Sequence, residues 1–180
     1  MITYFDPKAA VSEQYKILRT NLLSLDKGNP PRVVAVTSST HSEGKTVTTL
    51  NLAVAIVQSK STYKVLVIDA DMRRGRIGRY LGVDHPIGLS DFLGGNAGLE
   101  ETVFDIDVPN LSFISAGNVP PHPVDLLDSR KMRNLITDLR ARYDLILIDT
   151  PPIINVTDAG IIGAMADGVL MVIQAGRTQR

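Results

Sequence analysis

The residues with the clearest chemical potential form a polar segment behind an apolar run. Residues 33–36 are apolar, and the following residues 37–46 end in Gly44-Lys45-Thr46. Such an ending between a strand and a helix is typical of a loop whose backbone N–H groups cradle phosphate. The Lys45 ammonium would reach the outer phosphates, and the Thr46 hydroxyl would join a Mg²⁺ shell. The predicted nucleotide-binding residues are Ser39, Thr40, His41, Ser42, Glu43, Gly44, Lys45, Thr46 and Val47.

Two positions of this loop depart from the usual phosphate-binding pattern. The pattern places a glycine six residues before the lysine, where this chain has Ser39. Ser42 replaces a second glycine that is common in such loops. If the backbone at Ser42 takes a positive φ, we expect a strain of about 1–2 kcal/mol. A coincidental Gly-Lys-Thr at a helix start is the alternative interpretation, and the flanking strand and amphipathic helix argue against it.

Carboxylates follow two further apolar runs. Residues 65–68 precede Asp69 and Asp71, and residues 145–148 precede Asp149. The carboxyl ends of parallel strands meet at one edge of a sheet, so all three carboxylates are expected beside the phosphate loop. Taken singly, each aspartate could instead cap the helix that follows its strand. Their combination with the Gly-Lys-Thr loop favours a site for a Mg²⁺-nucleotide.

The base of that nucleotide can be argued from the residues behind Asp149. A GTPase would have Asp-x-x-Gly there, whereas Asp149 is followed by two prolines after Thr150. Asn155 and Asp158 have the spacing of a guanine-reading motif, but that motif's lysine is missing and the pair follows the metal strand too closely. ATP is therefore the predicted nucleotide.

Four arginines follow the Asp69–Asp71 segment directly. A solvated basic loop is one interpretation of this cluster, and binding of phosphate or of an acidic peptide is the other. The three histidines have no metal-ligand spacing and are predicted to lie in loops. The arginines are Arg73, Arg74, Arg76 and Arg79, and the histidines are His41, His85 and His122.

Apolar runs and helical patterns alternate along the chain, which predicts the scaffold of this site. Continuous rather than alternating apolar runs indicate strands that are covered on both faces. Strand–helix repetition then predicts an α/β fold with a doubly wound, mostly parallel sheet flanked by helices, in one domain over residues 1–180. The strand runs are residues 33–36, 65–68, 111–114, 145–148 and 169–173. The helix faces are Val47, Leu50, Val54 and Val57, and Met132, Leu135, Ile136 and Leu139.

An extra helix is predicted within residues 1–30. Asp6 can cap this helix and Pro7 suits its first turn. Glu13, Lys16 and Arg19 are three residues apart, so they are expected to project from one side of it and to face outward. The adjoining apolar stripe, expected to pack on the domain, consists of Val11, Tyr15, Leu18 and Leu22.

Composition excludes several classes of protein. The chain has 19 basic and 19 acidic residues, so no net charge attracts it to nucleic acid. It has no cysteine, which excludes disulfides and thiolate chemistry. No apolar run approaches the ~20 residues that span a bilayer. The N-terminus lacks the apolar core of a signal peptide, and a cytoplasmic location is expected.

These residues together resemble the bacterial tyrosine kinases of capsule and exopolysaccharide synthesis, over about residues 8–177. The segments that match the phosphate loop, the second Walker segment and the Walker B strand are residues 43–46, 68–73 and 148–152. Weaker matches are residues 88–91, 117–123 and 125–127, and residues 13–21 resemble the family's oligomerisation motif. Two departures are His41-Ser42 in place of Pro-Gly, and Lys16 in place of an arginine.

The resemblance implies a role for each matching residue. Lys45 would bind the β- and γ-phosphates, and Asp69 would accept the tyrosine proton. Thr46, Asp71 and Asp149 would hold Mg²⁺. Glu13, Lys16 and Arg19 would lie between subunits of a homo-oligomeric ring.

The resemblance also implies partners. A membrane chain-length protein, fused or separate, would activate the kinase at the inner face of the membrane, and a tyrosine-rich tail would accept the phosphate. The chain stops at Arg180 without such a tail, and its five tyrosines are scattered, which suggests that its C-terminal end is truncated. Two alternatives remain open. An ATP-driven switch of the partition type usually has a second lysine where this chain has Thr40, and a non-catalytic nucleotide-binding domain would regulate polymerisation.

Overall fold

The computed structural model describes residues 1–26, 28–59, 62–83, 86–154 and 156–178. Its centre is a six-stranded sheet with the strand order β3-β4-β2-β5-β1-β6. The antiparallel pair β3–β4 lies at one edge, and the other pairs are parallel. The strands are β1 Val33–Ser38, β2 Val65–Asp69, β3 Val103–Asp105, β4 Leu111–Ile114, β5 Leu145–Asp149 and β6 Gly168–Val172. The predicted α/β fold and its five apolar strands are confirmed.

Helices cover both faces of the sheet. One core lies between the sheet and α3, with α2 packed outside it, and a second core joins the opposite face to α5, α7, α8 and α9. The helices are α1 Ile2–Phe5, α2 Ala10–Leu23, α3 Lys45–Ser59, α4 Ile77–Leu81, α5 Leu89–Gly94, α6 Leu99–Thr102, α7 Pro123–Leu127, α8 Arg130–Arg140 and α9 Asp158–Met165. No helix in the described part of the chain is long and apolar enough to cross a membrane.

The predicted faces of α3 and α8 agree with the packing at all but one position. In α8 the whole apolar face is buried. In α3 Leu50, Val54 and Val57 are buried, but Val47 is 38% exposed because it lies in the first turn, beside the phosphate loop. The edge strand β6 is only half-buried, with Val169 and Met171 exposed. The prediction that every apolar run is covered on both faces is therefore wrong for this strand.

The N-terminal region differs from the single helix predicted within residues 1–30. The chain forms α1 and α2, and Asp6 ends α1 instead of capping α2, whose N-cap is Ala9. Pro7 lies in the turn between the two helices. Ser12 is buried and its hydroxyl donates to the Asp6 carbonyl at 2.6 Å, whereas Val11 is 50% exposed. The buried face of α2 is thus rotated away from Val11.

The row of charged side chains on α2 does not all face outward. Glu13 and Lys16 form an exposed ion pair at 2.7 Å. Arg19 instead reaches its own domain, where a guanidinium N–H donates to the Ala55 carbonyl at 3.0 Å near the end of α3. The predicted outward position of Arg19 is therefore wrong. Its long side chain bonds to a carbonyl of the helix on which α2 packs.

We expect Arg19→Ala to lower the free energy of unfolding by about 1–2 kcal/mol, because a charge-assisted hydrogen bond to a partly buried carbonyl is lost. Glu13→Ala removes only an exposed ion pair and should cost less than ~1 kcal/mol. Urea unfolding of the two variants beside the parent measures the difference. Equal losses in both variants would contradict the structural role of Arg19.

Candidate active site

The phosphate loop joins β1 to α3 through two residues with left-handed backbone conformations. Ser42 has φ 66° and Gly44 has φ 93°. Ser42 therefore has the positive φ for which strain is expected, and this backbone conformation costs about 1–2 kcal/mol. Because α3 begins at Lys45, the loop leads directly into the first turn of a 15-residue helix. The free N–H groups of that turn favour an anion.

Glu43 holds the loop together through its own carboxylate. One oxygen accepts the Thr40 N–H at 2.8 Å, and the other accepts the Thr178 hydroxyl. The bond from Thr178 and then that from Thr40 lower the pKa of Glu43. Ser38 adds a bond from its hydroxyl to the Thr40 carbonyl at 2.8 Å. The sequence does not predict the contact of Thr178 with Glu43, because Thr178 lies in the segment after β6, far from the loop along the chain.

The sheet register brings the predicted carboxylates together. Asp69 pairs with Asp149 across β2 and β5, at the carboxyl edge of the sheet. The Lys45 ammonium lies 3.5 Å from Asp71 Oδ2 and 3.6 Å from Asp149 Oδ2. The Thr46 hydroxyl donates to Asp149 Oδ2 at 2.6 Å. One cluster therefore contains the lysine, the hydroxyl and the three carboxylates that the sequence singles out.

Asp69 is the buried carboxylate at the end of β2 in this cluster, and it also accepts hydrogen bonds from the neighbouring backbone. Its Oδ2 accepts the N–H groups of Arg76 at 2.8 Å and Ile77 at 3.0 Å, where α4 begins. Its Oδ1 accepts the Asp71 N–H at 3.2 Å. Burial first, and then the charge of Asp149, raise the pKa of Asp69 to about 7. The helix-capping interpretation of a strand-end aspartate is thus partly right for this residue.

Asp149 has an oxygen that is available to a cation. Burial raises the pKa of Asp149 to about 6, although Lys45 opposes the shift. Its buried Oδ1 has no hydrogen-bond partner in the described part of the chain. The described residues contain no group of three or more His, Cys, Asp or Glu that could hold a metal by itself. This donor set fits Mg²⁺, which commonly binds through one or two carboxylates together with nucleotide phosphates.

The metal-free protein should become less stable as the pH rises from about 5 to about 8. The folded-state pKa values of Asp69 and Asp149, about 7 and about 6, lie above the ordinary value of 3.8. Over this range the folded state binds more protons than the unfolded state, so the free energy of unfolding falls with pH. Urea unfolding in EDTA at both pH values measures the fall, which should be smaller in Asp69→Asn. Stability that stays constant or rises would contradict the burial of these carboxylates.

The remaining polar candidates lie around the cluster. The four arginines are exposed, and Arg73 pairs with the buried Asp158, Nε to Oδ2, at 3.4 Å. That pairing leaves Asp158 unsuited to reading a base, while Asn155 lies outside the described residues. His41 and His122 lie in exposed loops as predicted, and His85 also lies outside the described residues.

One cavity of about 900 Å³ is lined by none of the predicted site residues. The cleft at the phosphate loop is small, about 60 Å³, and is lined by loop residues, Asp71, Arg74, Arg76 and Tyr80. Anions held by backbone N–H groups do not require a deep apolar cavity. The small volume of this cleft is therefore compatible with a phosphate site.

Known proteins are similar to this chain in sequence and in fold. The AAA domain family matches residues 31–178. The tyrosine-protein kinase YwqD of Bacillus subtilis (strain 168) is 36% identical over the whole chain, which spans 75% of that relative. The kinase domain of the Escherichia coli tyrosine kinase ETK is 32% identical with a TM-score of 0.91, over 99% of this chain and 69% of that domain.

A more distant likeness joins the chain to a division-site ATPase. The septum site-determining protein MinD of Pyrococcus horikoshii OT3, complexed with Mg-ADP, is 32% identical with a TM-score of 0.67, over 78% of this chain and 57% of MinD. The predicted fold and resemblance are thus confirmed, with the kinases matching over more of the chain than MinD. This chain belongs to the bacterial tyrosine-protein kinases, within the AAA domain family of phosphate-loop proteins.

Proposed function

We propose that the protein transfers the γ-phosphate of ATP to tyrosine at the carboxyl edge of its sheet, with Mg²⁺ as cofactor. The observation that carries this proposal is the position of Lys45. Its ammonium lies at the start of α3, within 3.5 Å of Asp71 and 3.6 Å of Asp149. Positive charge and carboxylates are thus concentrated where the phosphate loop directs its N–H groups.

In this proposal each residue of the cluster has one task. The backbone of residues 39–47 binds the phosphates, and Lys45 binds the β- and γ-phosphates. Thr46, Asp71 and Asp149 hold Mg²⁺, and the unpartnered Asp149 Oδ1 supports that role. Held by these residues, Mg²⁺ would supply positive charge that neutralises the phosphates.

Asp69 accepts the proton of the incoming phenol. The phenol oxygen bonds to the γ-phosphorus, the bond from phosphorus to the bridging oxygen breaks, and ADP leaves with the electron pair. Asp69 Oδ1 is the suitable acceptor because it receives one N–H at 3.2 Å, whereas Oδ2 receives two. A carboxylate with a pKa of about 7 is also a stronger base than an ordinary aspartate.

The biological setting belongs to the same proposal. The resemblance supports a role in capsule or exopolysaccharide polymerisation and export, at the inner face of the membrane. A membrane chain-length protein would activate the domain, and a tyrosine-rich protein tail would be the acceptor. For a ring of identical subunits, Glu13 is the exposed member of the charged row; Lys16 is half-buried and also bonds to the Pro7 carbonyl, and Arg19 bonds to the Ala55 carbonyl of its own domain.

Label transfer tests the activity and separates the alternatives. The protein is mixed with ATP labelled in the γ-phosphate, Mg²⁺ and a tyrosine-rich peptide, and with a phenylalanine version of that peptide as a control. Phosphotyrosine on the first peptide alone is the expected result. Free phosphate alone would indicate a partition-type ATPase switch. Neither product would indicate a non-catalytic nucleotide-binding domain.

The metal assignment gives a separate expectation. Asp149→Asn should weaken nucleotide binding at least about tenfold when Mg²⁺ is present, because a carboxylate ligand of the cation is lost. Without Mg²⁺ the nucleotide affinity should change less, because the Asp149 carboxylate binds the cation and not the phosphates. Calorimetric titrations in Mg²⁺ and in EDTA give both values. Equal shifts under the two conditions would remove Asp149 from the metal site.

A further inference from the structure

A second cavity adjoins the cleft at the phosphate loop. Its volume is about 280 Å³, and Asp69, Arg73, Arg74 and Arg79 contribute its charged lining. Arg74 also lines the phosphate cleft, so the two spaces share a wall. The proposed proton acceptor, Asp69, lines this second cavity, next to the nucleotide site.

The charge of this cavity is not balanced by its own residues. Arg73 has a partner in Asp158, but Arg74 and Arg79 form no ion pair with any described residue. Asp69 is the one acidic residue that lines the described cavity, and both of its oxygens already accept backbone N–H groups. A ligand that enters here therefore meets two guanidinium groups that have no acidic partner in the described part of the chain.

The shape of the cavity depends on a glycine. A Cβ at Gly75 would lie 2.5 Å from the Ala116 Cβ and 3.1 Å from Asp69 Oδ2. Any larger residue there would fill the space beside the carboxylate. The side chain of Val119, 72% exposed, adds an apolar surface to the lining. A space with a carboxylate, an apolar wall and arginines that form no ion pair among the described residues suits an aromatic ring that is flanked by anionic groups.

We propose that this cavity binds the acceptor peptide, with the tyrosine ring beside Val119 and acidic side chains on Arg74 and Arg79. The protein thereby selects tyrosines that have glutamate or aspartate neighbours. This inference rests on the proposed kinase function and names the substrate class of the same site. Guanidinium groups suit carboxylates because their planar donors match two oxygens at once.

Binding of unreactive peptides tests the inference independently of phosphoryl transfer. Two fluorescent peptides contain phenylalanine in place of tyrosine and differ only in flanking glutamates or glutamines. Fluorescence anisotropy with the protein, Mg²⁺ and a non-hydrolysable ATP analogue gives each affinity. We expect the glutamate peptide to bind at least about fivefold more tightly at low salt. This is the gain in affinity that about one exposed ion pair provides. Added KCl should reduce this preference through screening.

Three variants locate the source of the preference. Arg79→Gln should reduce it by several-fold, and Arg79→Lys should retain part of it because the charge remains. Arg142→Gln is the matched control, since Arg142 is an exposed arginine in the turn before β5, at the opposite edge of the sheet, where it pairs with Glu100. Its preference should equal that of the parent.

Three results would overturn the inference. The parent could bind both peptides equally, or Arg142→Gln could lose as much preference as Arg79→Gln. A loss of nucleotide affinity in Arg79→Gln as large as its loss of peptide affinity would assign this arginine to the phosphates. Because the peptides cannot accept phosphate, a protein that fails the label-transfer test still gives a decisive result here.

Discussion

In Lys45→Met, tyrosine phosphorylation should fall at least about 100-fold, because one positioned charge is removed from the phosphoryl transition state. The Lys45 side chain is 12% exposed and lies between two carboxylates, so its loss also leaves Asp71 and Asp149 without their nearest cation. The global fold should persist, since the ammonium belongs to the site rather than to either apolar core. Initial rates of label transfer at saturating ATP measure the effect.

Lys64→Met serves as the control for this variant. Lys64 is an exposed lysine in front of β2, at the amino edge of the sheet, away from the cluster. Its activity should match that of the parent, and circular dichroism should show that both variants are folded. Transfer by Lys45→Met within about threefold of the parent would refute the phosphate-loop assignment.

In Asp69→Asn, transfer to tyrosine should fall about 100-fold or more while Mg²⁺-nucleotide binding persists, because a general base contributes at least that factor. The amide oxygen can still accept a backbone N–H, so α4 should keep its start. Parent activity should rise with pH through about 7 as Asp69 loses its proton, and this rise should be absent in the variant. Rates measured between about pH 5.5 and about pH 8.5 test both statements.

Asp138→Asn controls for the loss of one negative charge, since Asp138 is exposed on α8. We expect its pH profile to follow that of the parent. If Asp69→Asn retained the rise with pH, the proton acceptor would be another group. If it lost nucleotide binding together with transfer, Asp69 would belong to the metal site instead.

Much of the candidate site could be predicted because the residues that follow parallel strands lie at the same edge of the sheet. The runs before Asp69 and Asp149 are continuous and apolar, so their strands are buried on both faces and the aspartates emerge at one edge. The register then places the two side by side. The position of the phosphate loop could also be predicted, because an amphipathic helix pattern follows Gly44 and Lys45 directly.

Features that depend on distant contacts or on short elements escape such reasoning. β3 has three residues and no apolar run that would distinguish it from a loop. The bond from Arg19 to the Ala55 carbonyl depends on how α2 packs against α3. The bond from Thr178 to Glu43 joins residues that are far apart in the chain. Spacing predicts the face of a helix, but it does not predict which atom on another element that face will meet.

Single-turnover partition of the γ-phosphate tests the central claim most directly. The protein is held in excess over labelled ATP, with Mg²⁺ and saturating tyrosine peptide, so that each label is used once. If one edge of the sheet both binds the nucleotide and presents the tyrosine, most of the label should appear as phosphotyrosine. Label recovered mainly as free phosphate, at an equal rate with the phenylalanine peptide, would contradict the account.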